Sequence, residues 1–170
     1  MDHIMNCNCL QNGRNEICHD FSDFAPEKYL REYYADLGAE NLFLLHELDV
    51  FYREHGRGGS LLDIGSGPTI YQLISAAQYM GDIYIAEYLP VNRAYLQQWL
   101  EGRAQPFSWR EYFQVVSSFD GRADSVTLEK KLRDTIRSIV PIDILGNGFL
   151  PGSVPVLHDA VSSSFCAESI

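Results

Sequence analysis

Hydrophobic positions along this 170-residue chain switch between a period near two and a period near 3.6, and the order of the switches predicts an α/β arrangement. Leu61, Leu62 and Ile64 form a short buried strand that Gly65 and Gly67 let turn sharply, and Pro68 fits the first turn of the helix that follows. Ile70, Leu73, Ile74, Ala77 and Met80 recur at helical spacing, and Gly81 closes that helix. Residues 83–87 read as a second strand, and Tyr95, Leu96, Trp99 and Leu100 as one face of a helix closed by Gly102. Ser108-Trp109-Arg110-Glu111 is a capping box expected to start a helix through Phe113, Val116 and Phe119 that covers the sheet. Leu128, Leu132 and Ile136 mark a further helix with a solvated charged face. Residues 139–144 form a third strand, which Pro141 places at a sheet edge. A Gly/Pro-rich loop over 146–155 then leads into a fourth strand and its exit, 159–166.

Upstream, Pro26 opens a helix in which Tyr29 and Tyr33 share one face and Leu30 and Tyr34 another. A longer helix from Glu40 to His55 carries Leu44, Leu48, Phe51 and Tyr52 as its apolar face and ends at Gly56, Gly58 and Gly59. Residues 1–22 are polar and aperiodic, the pattern of a flexible arm. The domain expectation is therefore an arm over 1–22, lid and scaffold helices over 23–59, and a Rossmann-like half over 60–170.

A net charge of −10 disfavours nucleic-acid backbones and anionic membranes, since no basic stripe offsets the repulsion. No apolar run approaches the roughly 20 residues that span a bilayer. Asp2, Asn6 and Asn8 interrupt any signal-peptide core, so the expected location is cytoplasmic. In that compartment Cys7, Cys9, Cys18 and Cys166 are expected as reduced thiols. Cys7, Cys9, Cys18 and His19 lack the paired spacing of a zinc finger or ribbon, and no metal site is expected.

The candidate chemistry sits where the first strand ends in Asp63 and a glycine turn. A glycine turn alone is weak, but the second strand ends in a carboxylate, Glu87, 22 positions after Gly65, where Rossmann-type sites place a ribose-binding acid. The turn lacks the third glycine of a dinucleotide fingerprint and the lysine of a P-loop, which disfavours a pyrophosphate ligand and points to a nucleoside without phosphates. Asn92 stands at the next helix start, able to cap it or to contact a ligand there. Asp143 falls at the carboxyl end of the third strand, either as an exposed acid or as a ligand contact.

The string Asp63-Ile64-Gly65-Ser66-Gly67-Pro68-Thr69-Ile70-Tyr71-Gln72-Leu73 resembles the small-molecule N-methyltransferases typified by the nicotinamide, phenylethanolamine and indolethylamine enzymes. Residues 24–34, with their paired tyrosines, look like that family's N-terminal lid helix, and the resemblance continues in order through Glu87-Tyr88, Asn92, Trp99, Phe107-Ser108-Trp109, Ile142-Asp143-Ile144 and Asp159-Ala160-Val161. It implies a Rossmann-like class I methyltransferase fold, here about four strands of a mostly parallel sheet with flanking helices, because family members continue well past the position matching Ile170. It also implies S-adenosylmethionine as cofactor and a small amine or N-heterocycle as methyl acceptor.

The resemblance further implies roles for single residues. Tyr29 and Tyr34 would close over the cofactor, with Tyr29 also facing the acceptor; Gly65, Ser66, Gly67, Thr69 and Tyr71 would cradle it. Glu87, one methylene longer than the family's usual Asp, would hold the ribose with Asn92, and Asp143 and Ile144 would bracket the adenine. Ser164 would lie beside the methyl group and Phe165 beside the acceptor ring. No general base is assigned, and His46, His55 and His158 carry no role. The competing expectation is a truncated, non-catalytic protein that binds cofactor or a partner through an unpaired fourth strand bearing Val161 and Phe165.

Overall fold

Four short strands end side by side and carry the loops that matter. They are β1 (Ser60–Ile64), β2 (Asp82–Glu87), β3 (Ile136–Pro141) and β4 (Ala160–Ser162), all parallel, in the order β3-β2-β1-β4. The computed structural model describes residues 21, 23–121, 123–144, 150–155 and 157–166. The expectations for residues 1–20, including Cys7, Cys9, Cys18 and His19, lie outside them. Seven helices accompany the strands among the described residues: α1 (Pro26–Tyr33), α2 (Ala39–His55), α3 (Tyr71–Ile74), α4 (Ala76–Tyr79), α5 (Pro90–Leu100), α6 (Arg110–Asp120) and α7 (Ser125–Thr135).

Strand alternation divides the core. Leu61, Ile83 and Ile85 face the helical layer with Leu30, Leu45, Leu73, Phe113, Val116 and Leu132, whereas Leu62, Ala86 and Val140 face the opposite way with Ile142 and Val154. The chain winds from β1 through β2 to β3 in one direction and then places β4 on the other side of β1. Such a reversal opens a crevice above the carboxyl ends of the strands, where open parallel sheets bind ligands.

Several boundaries differ from those the sequence suggests. Pro68 lies in the turn, three residues ahead of α3, because the chain passes through left-handed backbone at Gly65 (φ 71°) and Gly67 (φ 59°) before it can wind into a helix. That helix is also interrupted at Ser75, and residues 71–77 are buried on every side. Ile136 turns extended and pairs with Ile83, so β3 begins three residues early and Asp143 and Ile144 lie just beyond its end. Pro141 does occupy an edge strand.

On α2 the buried stripe is Leu45, Asp49 and Tyr52, while Phe51 is exposed and stacks on Tyr52 and His55 from outside. Helix α6 is capped at Trp109 rather than Ser108, since burial of the indole against Phe107 and Tyr112 fixes the start and the Ser108 hydroxyl accepts only the Arg110 N–H. It packs on α2 and α7, and its Phe113 and Val116 join the core cluster that includes Leu61, Ile83 and Ile85 of the sheet. Strand β4 is the outer strand on its side, with Val161 exposed.

One buried carboxylate holds the crevice together. Asp63, fully buried, sits in register with Ser162 of β4 and accepts that hydroxyl at 2.6 Å on Oδ1. Its Oδ2 accepts the Ser66 hydroxyl and, at 3.0 Å, the Gln72 side-chain amide. The Tyr52 hydroxyl joins from α2 by a hydrogen bond to Ser162, and burial pushes that phenol up to about 12. Burial also raises the Asp63 carboxyl, an effect that the three donors oppose only in part.

Two measurements check this arrangement. Asp63→Ala leaves the donors of Ser66, Gln72 and Ser162, the first two buried, without an acceptor and should cost about 1–3 kcal/mol in a denaturant titration. Asp63→Asn can keep the contacts by accepting from Ser66 and Gln72 and donating to Ser162. Because the folded-state carboxyl is raised, wild-type stability relative to Asp63→Asn should fall as pH rises from the ordinary aspartate range through the folded-state value. A difference that grows with pH would contradict the burial penalty.

Candidate functional site

The backbone turn after β1 is the floor of the site. Gly65 donates its N–H to Ala86 O at 2.8 Å, keeping the turn against β2. A Cβ at Gly65 would collide with the Cys166 side chain, so the β4 exit can approach the turn only because residue 65 is glycine. The turn's own hydroxyls face inward: Ser66 donates to Asp63, and Thr69 Oγ1 lies 2.8 Å from Ser66 O and 3.0 Å from Gln72 Oε1. The turn's hydroxyls are therefore committed to partners within the protein.

Glu87 forms the next wall. It is 4 % exposed, and its carboxylate accepts from the Gly67 N–H at 2.8 Å, the Leu89 N–H at 2.8 Å and the Asn92 side-chain amide at 3.1 Å. Three bonds leave lone-pair capacity for a further donor, since an ionised carboxylate offers about four such sites. The extra methylene of glutamate lets one oxygen reach the turn while the other serves the start of α5. Asn92 lies inside the first turn of that helix and is not its cap; the N-cap is Leu89. Its Oδ1 is buried without a protein partner, an acceptor in want of a donor.

These groups line one cavity of about 390 Å³, within the size range of small-molecule sites. Of the residues expected from sequence, Tyr29, Tyr34, Gly65, Ser66, Gly67, Thr69, Glu87, Asn92, Asp143, Ile144, Ser164 and Phe165 are brought together on its surface. Tyr71 is not on that surface. It lies behind the wall, buried between the rings of Tyr34 and Tyr112, with its hydroxyl bonded to Tyr34 and Ser164.

The lid side is aromatic. The Tyr29 ring centroid lies 5.5 Å from that of Phe24 and 5.9 Å from that of Tyr34. Tyr34 in turn packs on Tyr71 and Trp109, and its backbone carbonyl accepts the Tyr112 hydroxyl at 3.1 Å. Burial drives the Tyr34 phenol far above its usual range and that of Tyr71 up to about 12, so both stay neutral near pH 7. Across the cavity, Phe165 adopts left-handed backbone (φ 55°), uncommon for a bulky residue, and so turns the β4 exit over the crevice.

Phe21, Phe24, Ile64, Pro68, Tyr88, Leu89, Ile142 and Cys166 complete the lining without having been singled out as site residues. Ile64 and Ile142 could have been found, since each adjoins a strand-end acid that was noticed. The partnership of Asp63 with Ser162 spans 99 residues and leaves no local signal. Among the described residues no His/Cys/Asp/Glu cluster could hold a metal ion, and no helix is long and apolar enough to cross a membrane.

The chain is 35 % identical to phenylethanolamine N-methyltransferase of Sus scrofa and 36 % identical to that of Bos taurus, each match covering 93 % of this chain and 60 % of the relative. It is 33 % identical to nicotinamide N-methyltransferase of Homo sapiens over 87 % of this chain and 59 % of the relative. The chain thus spans about 60 % of the length of the curated relatives it matches. A family model matches residues 15–170, and with the strand-end cavity in place the chain belongs to the NNMT/PNMT/TEMT family.

Proposed function

We propose that this chain carries the cofactor site of an S-adenosylmethionine-dependent N-methyltransferase whose acceptor is a small amine or N-heterocycle. The observation that carries it is the pair formed by Glu87 and Asn92: a buried carboxylate with spare acceptor capacity beside a buried amide oxygen without a partner. Two adjacent acceptors suit the two hydroxyl donors of a ribose, and no phosphate-binding lysine or third glycine accompanies them.

The strand order supplies the rest of the fit. Asp143 and Ile144 follow β3, Glu87 ends β2, the glycine turn follows β1, and Ser164 and Phe165 follow β4. A nucleoside with its ribose at Glu87 and its base at Asp143 and Ile144 must therefore extend any further arm over the turn and the β4 exit. Tyr29 and Phe24 line the cavity, and an aromatic ring attracts a sulfonium cation through its quadrupole.

Bound S-adenosylmethionine would supply an electrophilic methyl group already activated by its sulfonium. What this chain adds is positioning. The turn and Glu87 fix the donor, and the aromatic lid excludes water, so that alignment and approximation dominate the rate. Tyr34 and Tyr71 remain protonated and orient neighbours as neutral phenols, so neither takes a proton from the acceptor nitrogen. A pyridine-type nitrogen needs no such removal, whereas an aliphatic amine must arrive as its free base.

Calorimetric titration of the 170-residue chain with S-adenosylmethionine and with S-adenosylhomocysteine should show saturable binding of both. Glu87→Ala should weaken each by about 10-fold or more, the scale of hydrogen bonds to a charged group. No binding by a folded wild-type sample would refute the cofactor assignment. Unchanged affinity in Glu87→Ala would remove Glu87 from the site.

A further inference from the structure

Strand β4 reaches the cavity by only two residues beyond Ser162, and that serine is where β4 is tied to the turn by side chains. Its hydroxyl donates to Asp63 Oδ1 at 2.6 Å, while the other oxygen of the same carboxylate takes Ser66 from the turn and Gln72 from α3. The Tyr52 hydroxyl of α2 is a further hydrogen-bond partner of Ser162. One buried carboxylate thus fixes the turn, α3 and the β4 exit relative to one another, and Ser162 is the member that brings in β4.

We infer that Ser162 is a positioning residue that sets the turn and the Ser164–Phe165 exit in mutual register for the non-adenosine arm of the ligand. The inference rests on the nucleoside assignment proposed above. Its reach is limited: Glu87 of β2 accepts from Gly67, Leu89 and Asn92 and not from Ser162, so the turn reaches the β2 side through Gly67. Loosening Ser162 should therefore disturb the β1–β4 side of the cavity more than the β2–β3 side.

Two ligands separate those sides. S-adenosylmethionine carries the amino-acid arm, and methylthioadenosine carries the same adenosine without it. In Ser162→Ala the affinity for S-adenosylmethionine should fall about fivefold, the effect of one lost hydrogen bond, and that for methylthioadenosine should stay within about twofold. Ser162→Thr keeps the hydroxyl on a strand-compatible side chain and should restore the wild-type ratio. Equal weakening of both ligands would show a merely structural residue and overturn the proposal, as would unchanged binding of S-adenosylmethionine.

A second measurement needs no ligand. Amide hydrogen exchange at Thr69, whose N–H bonds to Ser66 O within the turn, should quicken in Ser162→Ala by about fivefold while exchange at Leu89 stays put, and no change at the turn would overturn the coupling. Should wild-type chain bind neither nucleoside, the cofactor assignment falls, and the exchange rates still decide whether Ser162 governs the turn.

Discussion

A carboxylate without solvent, Asp63, is the constraint on which the site depends. Four parallel strands bring their ends together, but main-chain pairing alone does not say how the loops beyond those ends should lie. Asp63 supplies that instruction by accepting from a serine of the turn, a glutamine of α3 and a serine of β4. Removing a carboxyl group from water is costly, and the three donors make the cost tolerable only while every partner is in place. The turn is consequently held by interactions beneath it.

Glu87 plays the complementary part on the other side of the turn. It is bonded to the turn through Gly67, to the start of α5 through Leu89 and to Asn92, so the wall of the cavity and its floor share a single group. This arrangement fixes a polar corner in the wall of a largely aromatic and aliphatic cavity. Such a corner beside an apolar wall is the usual composition of a site that orients a small molecule through a few polar contacts.

Much of this was legible in the sequence, and for identifiable reasons. The glycine turn, the strand-end Glu87 and the paired tyrosines leave local signatures, because backbone conformation and strand alternation act over a few residues. The long-range members left none. Ser162 reads as one serine in a run, and only the register of β4 against β1 makes it a partner of Asp63. Tyr71 belongs to a helix buried on all sides, so its place behind the cavity wall depended on the rings around it. Helical periodicity carried through Ile136 because Leu128 and Leu132 precede it at spacing four, yet pairing with Ile83 claims that residue for the sheet. Asn92 reads as standing at a helix start, able to cap it or to contact a ligand, and it lies inside the first turn of α5, whose N-cap is Leu89.

The most direct test is a crystal structure of the chain with S-adenosylhomocysteine. The ribose hydroxyls should lie between the Glu87 carboxylate and Asn92 Oδ1, the adenine against Ile144, and the amino-acid arm over the Gly65–Thr69 turn beside Ser164. A nucleoside bound with its base over the turn and its arm toward Asp143, or bound elsewhere on the chain, would contradict the orientation that the strand order imposes.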